Sequence, residues 1–246
     1  MSNVLPALKA VSNPQITASR LIQTRYPDCL AAFLAGSIVR GEGTATSDLD
    51  IVIVTHSEPD APYRCSEMVG VWPVEFFVHT PSSLEDYFTS DIQRRRPSLV
   101  QMCFEGLILS QKDDQAETIK QRAFELLEKG PPPLSPSEET RARYYLTDLL
   151  DDFRGCENRE ENLQIAPLLA QHAADFYLAQ QSAWSGQGKW LWRALHKAAP
   201  DQAILLQTAL ENFYCHNQKS PLIDFCTTLL EAAGGPLFSG FDSRKL

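Results

Sequence analysis

Two carboxylates stand two residues apart at Asp48 and Asp50, and ten residues separate Asp48 from the pair Gly36-Ser37. Successive side chains of a strand point to opposite faces, so Asp48 and Asp50 share one face and Leu49 takes the other. Their Cα atoms would lie about 6.6 Å apart at the usual rise of a strand. Carboxylates at that spacing can converge on hard cations such as Mg²⁺, which prefer oxygen ligands and leave positions open for phosphate oxygens. Gly36-Ser37 is the complementary half. A glycine at a strand-to-helix turn lets backbone N–H groups approach a phosphate, and a helix start favours negative charge there. Ser37 adds a hydroxyl donor. One loop therefore offers a phosphate cradle and a metal-binding pair.

Two apolar runs must position these groups. Cys29–Ala35 leads into Gly36, and Ile51-Val-Ile-Val54 leaves from Asp50. Both are short and apolar, and the second is wholly β-branched, so both predict buried strands, at about 29–35 and 49–55. Between them a short helix is expected from Ser37, ended by Gly41 and Gly43.

Gly36-Ser37, ten intervening residues and Asp48-Leu-Asp50 within Ser47-Asp-Leu-Asp-Ile-Val resemble the signature of the polymerase-β-type nucleotidyltransferase superfamily. The small-substrate branch, which is aminoglycoside nucleotidyltransferase-like, is the nearest pattern, and Arg40-Gly41 falls where many of its members carry Arg-Gly. The resemblance implies an α/β (α+β) catalytic domain with a short mixed sheet, followed by an all-α bundle. It also implies a third carboxylate on a later strand. Glu75 is the only acid inside Val74-Glu-Phe-Phe-Val-His79 and is the candidate, where many relatives carry Asp; an edge-strand Glu facing water is the alternative.

The same resemblance implies the ligands and the reaction. Two Mg²⁺ ions would be held by Asp48, Asp50 and Glu75, the catalytic set. Gly36, Ser37, Arg40 and Ser47 would bind the phosphates of a nucleoside triphosphate donor, ATP being the expected one. The reaction would move a nucleoside monophosphate to a hydroxyl of a small, aminoglycoside-like acceptor and release pyrophosphate. Lys189 and Arg193, four residues apart and so on one helix face after Gly188, are further nucleotide-binding candidates. A basic surface strip beside a core face is the other reading of that pair. Glu105, Asp151 and Asp152 are equal candidates for a general base. Two other functions stay open: an antitoxin-like enzyme that adenylylates protein, and a degenerate module that binds nucleotide or a partner.

The composition narrows the partners. Hydrophobic residues make up 43% of the 246-residue chain, enough to fill a core. The net charge is −9 and the pI about 5.1, with no basic stripe for nucleic acid. An acidic balance permits a cationic acceptor. The six cysteines are scattered without a Cys-x-x-Cys pair, and Cys29, Cys103 and Cys226 sit in apolar context, which reads as buried thiols. No apolar run reaches the ~18–20 residues of a membrane span. With neither a signal peptide nor a transit peptide recognisable, the expectation is a cytoplasmic protein, monomer or homodimer.

The remaining pattern sets the order of elements. Residues 1–13 read as a lead-in, and Asn13-Pro14 as a helix start with an apolar face of Ile16, Leu21 and Ile22. Residues 56–64 read as a loop. A strand is expected over 74–79, with His79 a packing or surface residue at its end. A helix capped by Ser82 or Ser83 comes next, then an apolar segment through Leu99, Val100, Met102, Cys103 and Leu107, a short strand at 107–109 and a helix at 114–129 carrying Ile119, Ala123, Phe124 and Leu127. Pro131–Pro133 reads as a linker. It divides a catalytic domain, 1–130, from a helical substrate- and nucleotide-covering domain, 131–246. Helices are expected at about 135–155, 159–183, 188–198, 200–215 and 220–233, with Leu163 and Ala166 on the core face of the second and no sheet after 133.

Overall fold

Asn13 caps the first helix: its side chain accepts from the Ile16 N–H at 3.0 Å, and Pro14 occupies the first turn. The structure, a computed structural model, describes residues 13–245, so the rest of the expected lead-in lies outside the described residues. The first helix, α1 (Pro14–Arg25), buries Ala18, Leu21 and Ile22. Ile16 is 50% exposed, against expectation. It lies five residues before Leu21 and so misses the i, i+3, i+4 stripe that Ala18 begins.

Among the described residues, five strands form the body of the first half: β1 (Ala31–Ala35), β2 (Leu49–Val54), β3 (Tyr63–Val69), β4 (Trp72–His79) and β5 (Leu107–Gln111), with the one-turn helix α2 (Gly36–Val39) between β1 and β2. They make one mixed sheet in the order β3-β4-β2-β1-β5. The β2–β4 pair is parallel, and the other three pairs are antiparallel. The apolar runs of β1 and β2 are explained by burial on both faces. One face packs Leu49, Ile51 and Ile53 with α1 and with Val74, Phe76 and Val78. The other packs Phe33, Val52 and Val54 against α3 (Pro81–Gln93), α4 (Ser98–Glu105) and α5 (Gln115–Lys129).

β3 departs from the expected loop over 56–64. It begins at Tyr63 and pairs with β4 through a tight turn at Gly70-Val71, where Gly70 has φ +61°. Its side chains are mostly exposed because it is an edge strand, so it lacks the apolar run that marks a buried one. The cap of α3 is Thr80, not Ser82 or Ser83. Ser83 completes a reciprocal box, its hydroxyl accepting from the Thr80 N–H at 2.9 Å. Leu107 and Phe124 are exposed, Leu107 because β5 is the opposite edge of the sheet. His79 is buried and packs edge-on against Tyr87, with ring centres 4.9 Å apart.

The chain divides into two units after Lys129. Gly130, at φ +75°, comes directly after α5. The second unit contains α6 (Pro136–Gly155), α7 (Arg159–Gln180), α8 (Lys189–Ala198), α9 (Pro200–His216) and α10 (Ser220–Ala232), with no strand among the described residues. Ser135 and Glu138 form a second reciprocal cap at the start of α6. Its core is its own: Leu150 and Phe153 of α6 meet Leu169 and Phe176 of α7, Leu195 of α8 and Phe213 of α9. Leu163, expected in this core, is exposed at 37%. Cys29, Cys103 and Cys226 are buried free thiols. Among the described residues no helix is long and apolar enough to cross a membrane.

Candidate active site

The parallel register of β2 and β4 sets Asp50 directly beside Glu75, and the antiparallel register of β1 and β2 sets Ala35 opposite Asp50. Paired residues project to the same face of a sheet, so Asp50 and Glu75 emerge together. Asp48 joins them from just before β2. One carboxylate oxygen from each of Asp48, Asp50 and Glu75 lies within 4.8 Å of the others, and all three residues are half-buried. The edge-strand reading of Glu75 does not hold, because β3 covers that flank of β4.

Gly36 begins the turn next to this cluster. It has φ +79°, a conformation that costs any residue with a Cβ. A methyl group there would also overlap the Asp50 carboxylate oxygen Oδ2. Glycine is thus required twice, by the turn and by the carboxylate that the turn wraps. The Ser37 hydroxyl donates to Ser47 Oγ at 3.0 Å, and the Thr44 N–H donates to the same oxygen at 2.8 Å. These bonds tie both ends of the Ser37–Ser47 loop together.

Asp50 bears the electrostatic strain. Burial, then the charge of Asp48, then that of Glu75 push its carboxyl up to about 6, while Arg64 and Arg40 pull the other way. Arg40 is itself engaged: its guanidinium contacts Glu42 at 3.2 Å and Glu105 at 3.1 Å. Glu105, a candidate base, also accepts from the Gln101 amide.

Arg64 was not among the residues expected from sequence, since it falls at the end of the stretch 56–64 that reads as a loop. Its guanidinium pairs with the Glu75 carboxylate and lies over the Phe77 ring, 4.8 Å from the centroid. The available signal was Gly70 placed between two extended runs, a hairpin pattern. Beside the carboxylates, a cavity of about 390 Å³ opens along the hairpin, bordered by Asp48, Glu75, Ser66, Glu67 and Met68.

The other candidates belong to the second unit. Lys189 and Arg193 lie on α8, and both cations sit over the Trp190 ring, at 5.6 and 4.8 Å from its centroid. Asp151 receives the Arg154 guanidinium at 3.4 Å, and with Asp152 it borders a second cavity of about 350 Å³.

Residues 18–131 match the model of the family described as Nucleotidyltransferase domain. Among solved structures, the chain is similar to a nucleotidyltransferase-like protein from Exiguobacterium sibiricum 255-15. The identity is 14% and the TM-score 0.49, over 87% of this chain and 74% of that one. No curated protein matches the sequence. Residues 18–131, which contain the five-stranded mixed sheet, therefore match a nucleotidyltransferase domain, and a helical region follows them.

Proposed function

We propose that the chain moves a nucleoside monophosphate from a nucleoside triphosphate, ATP, to a hydroxyl of a small acceptor and releases pyrophosphate. The observation that carries this reading is the meeting of three carboxylates beside the Gly36-Ser37 turn, inside the matched domain. The donor set fits a hard divalent cation: the ligands are all oxygens, they are partly withdrawn from water, and their mutual repulsion is visible at Asp50. Asp48, Asp50 and Glu75 would hold Mg²⁺, which when bound neutralises triphosphate charge and lowers the pKa of the attacking hydroxyl.

The chain's own residues bind and orient. The missing Cβ at Gly36 leaves room for the Asp50 carboxylate, the Ser37 hydroxyl fixes the loop by donating to Ser47, and the Gly36-Ser37 turn would offer its backbone N–H groups to phosphate. Arg40 adds positive charge near Asp50 while anchored to Glu105. The cavity along the hairpin would take the acceptor. It lies beside the carboxylate cluster, so an acceptor hydroxyl placed there would be close to the cation held by Asp48 and Glu75. Lys189 and Arg193 remain candidate nucleotide ligands on the surface of the second unit.

Calorimetry with ATP, CTP, GTP and UTP, each with and without Mg²⁺, tests the reading. The expected result is Mg²⁺-dependent binding of a nucleotide that is lost in Asp48→Ala. Nucleotide binding that is unchanged by Asp48→Ala would refute the assigned site.

A further inference from the structure

On the metal-dependent reading of the site, we infer that Arg64 is an internal counter-cation for the carboxylate cluster: it pairs with Glu75 and gives it up when a divalent cation binds. The register carries the argument. Ser66 of β3 lies opposite Glu75, and Arg64 lies opposite Phe77, so both β3 residues project on the Glu75 side of the hairpin. Arg64 reaches diagonally across to the Glu75 carboxylate, with its guanidinium over the Phe77 ring. Such an aromatic face steers an arginine without pairing its charge.

The two partners are unequally bound to the protein. The Glu75 side chain is 17% exposed, and that of Arg64 is 63% exposed. Glu75 is fixed by a strand with neighbours on both sides, whereas Arg64 sits on the outer strand with water around its head group. Ion pairs with an exposed partner are weak and easily exchanged. A divalent cation that also gains Asp48 and Asp50 offers Glu75 more than the guanidinium does. The field of Arg64 also extends to Asp50 and Asp48, so it offsets repulsion across the whole cluster while no metal is bound. Arg64 is on this account a competing counter-ion. It neutralises Glu75 while no metal is bound and so sets how tightly metal binds.

The test is Mn²⁺ titration of metal-free protein without nucleotide, with free Mn²⁺ read by electron paramagnetic resonance. The proteins are wild type, Arg64→Ala, Arg64→Lys, Glu75→Gln and the double variant Arg64→Ala/Glu75→Gln. Removing the competing cation should tighten Mn²⁺ binding about fivefold in Arg64→Ala, in line with the modest strength of such pairs. Arg64→Lys keeps the charge and should stay within about twofold of wild type. The gain should vanish in the double variant. Equal or weaker binding by Arg64→Ala, with Glu75→Gln still impaired, would overturn the role of Arg64 and leave the metal reading standing. Absence of Mn²⁺ binding in every protein would overturn both.

Discussion

Asp50→Asn should make the metal-free protein more stable at pH 8 while removing its function. In the folded chain the Asp50 carboxyl is raised to about 6 from an ordinary 3.8. The native state therefore binds this proton more tightly than the unfolded chain. Its stabilising effect is full below the ordinary value and is lost as pH rises through about 6. At pH 8 the native state carries a charge that burial and two neighbouring carboxylates oppose. A displacement of about two pH units corresponds to about 3 kcal/mol. Water still reaches part of the group and screens it, so about 1–2 kcal/mol is the realistic share. Asparagine keeps the shape and removes the charge. Thermal unfolding in a chelator at pH 8 should show Asp50→Asn melting about 5 °C above wild type. The difference should shrink toward zero near pH 4, where wild type is itself protonated. Added Mn²⁺ should raise the melting temperature of wild type only. A variant that melts lower than wild type at pH 8, or a difference indifferent to pH, would refute this account of the site.

Gly36→Ala places a methyl on the Asp50 carboxylate in a backbone conformation that resists it, so it should cost about 2–4 kcal/mol and abolish Mn²⁺ binding. Urea unfolding and metal titration measure the two effects, and a fully stable variant with intact metal binding would contradict the geometry. His79 is held down to about 4 by burial. Its contribution is present above the ordinary value near 6.5 and is lost as pH falls toward 4. Between pH 7 and pH 4.5, wild type should lose about 2 kcal/mol more stability than His79→Leu, as read from urea midpoints. Equal losses would place His79 in contact with water.

The legible parts of the site were those whose signal is local. Asp48 and Asp50 could be grouped because they lie two residues apart at a strand start, although Asp48 itself falls just before β2. The family resemblance implied a third carboxylate on a later strand, and Glu75 could be picked out for it as the one acid in an apolar run. The parallel register that sets Glu75 beside Asp50 is a long-range pairing, and nothing within either strand encodes its offset. β3 went unseen because an edge strand buries little, so its residues carry no hydrophobic period. Arg64 was lost with it. In the same way, Thr80 and Ser83 are both good caps, and only the backbone decides which of them lies outside the helix.

On the proposed metal site, the β2–β4 register would also make metal binding a reporter of correct folding. Side chains alternate along a strand, so sliding β4 by one residue would turn Glu75 to the opposite face and bring Phe76 or Val74 to the Asp50 position. Such a misregistered chain could keep its helices and much of its apolar burial, and a helix-sensitive spectrum would score it as native. It would hold two of the three carboxylates and bind divalent cations poorly. In refolding experiments, recovery of tight Mn²⁺ binding would then date the locking of the central strand pair, separately from collapse and helix formation.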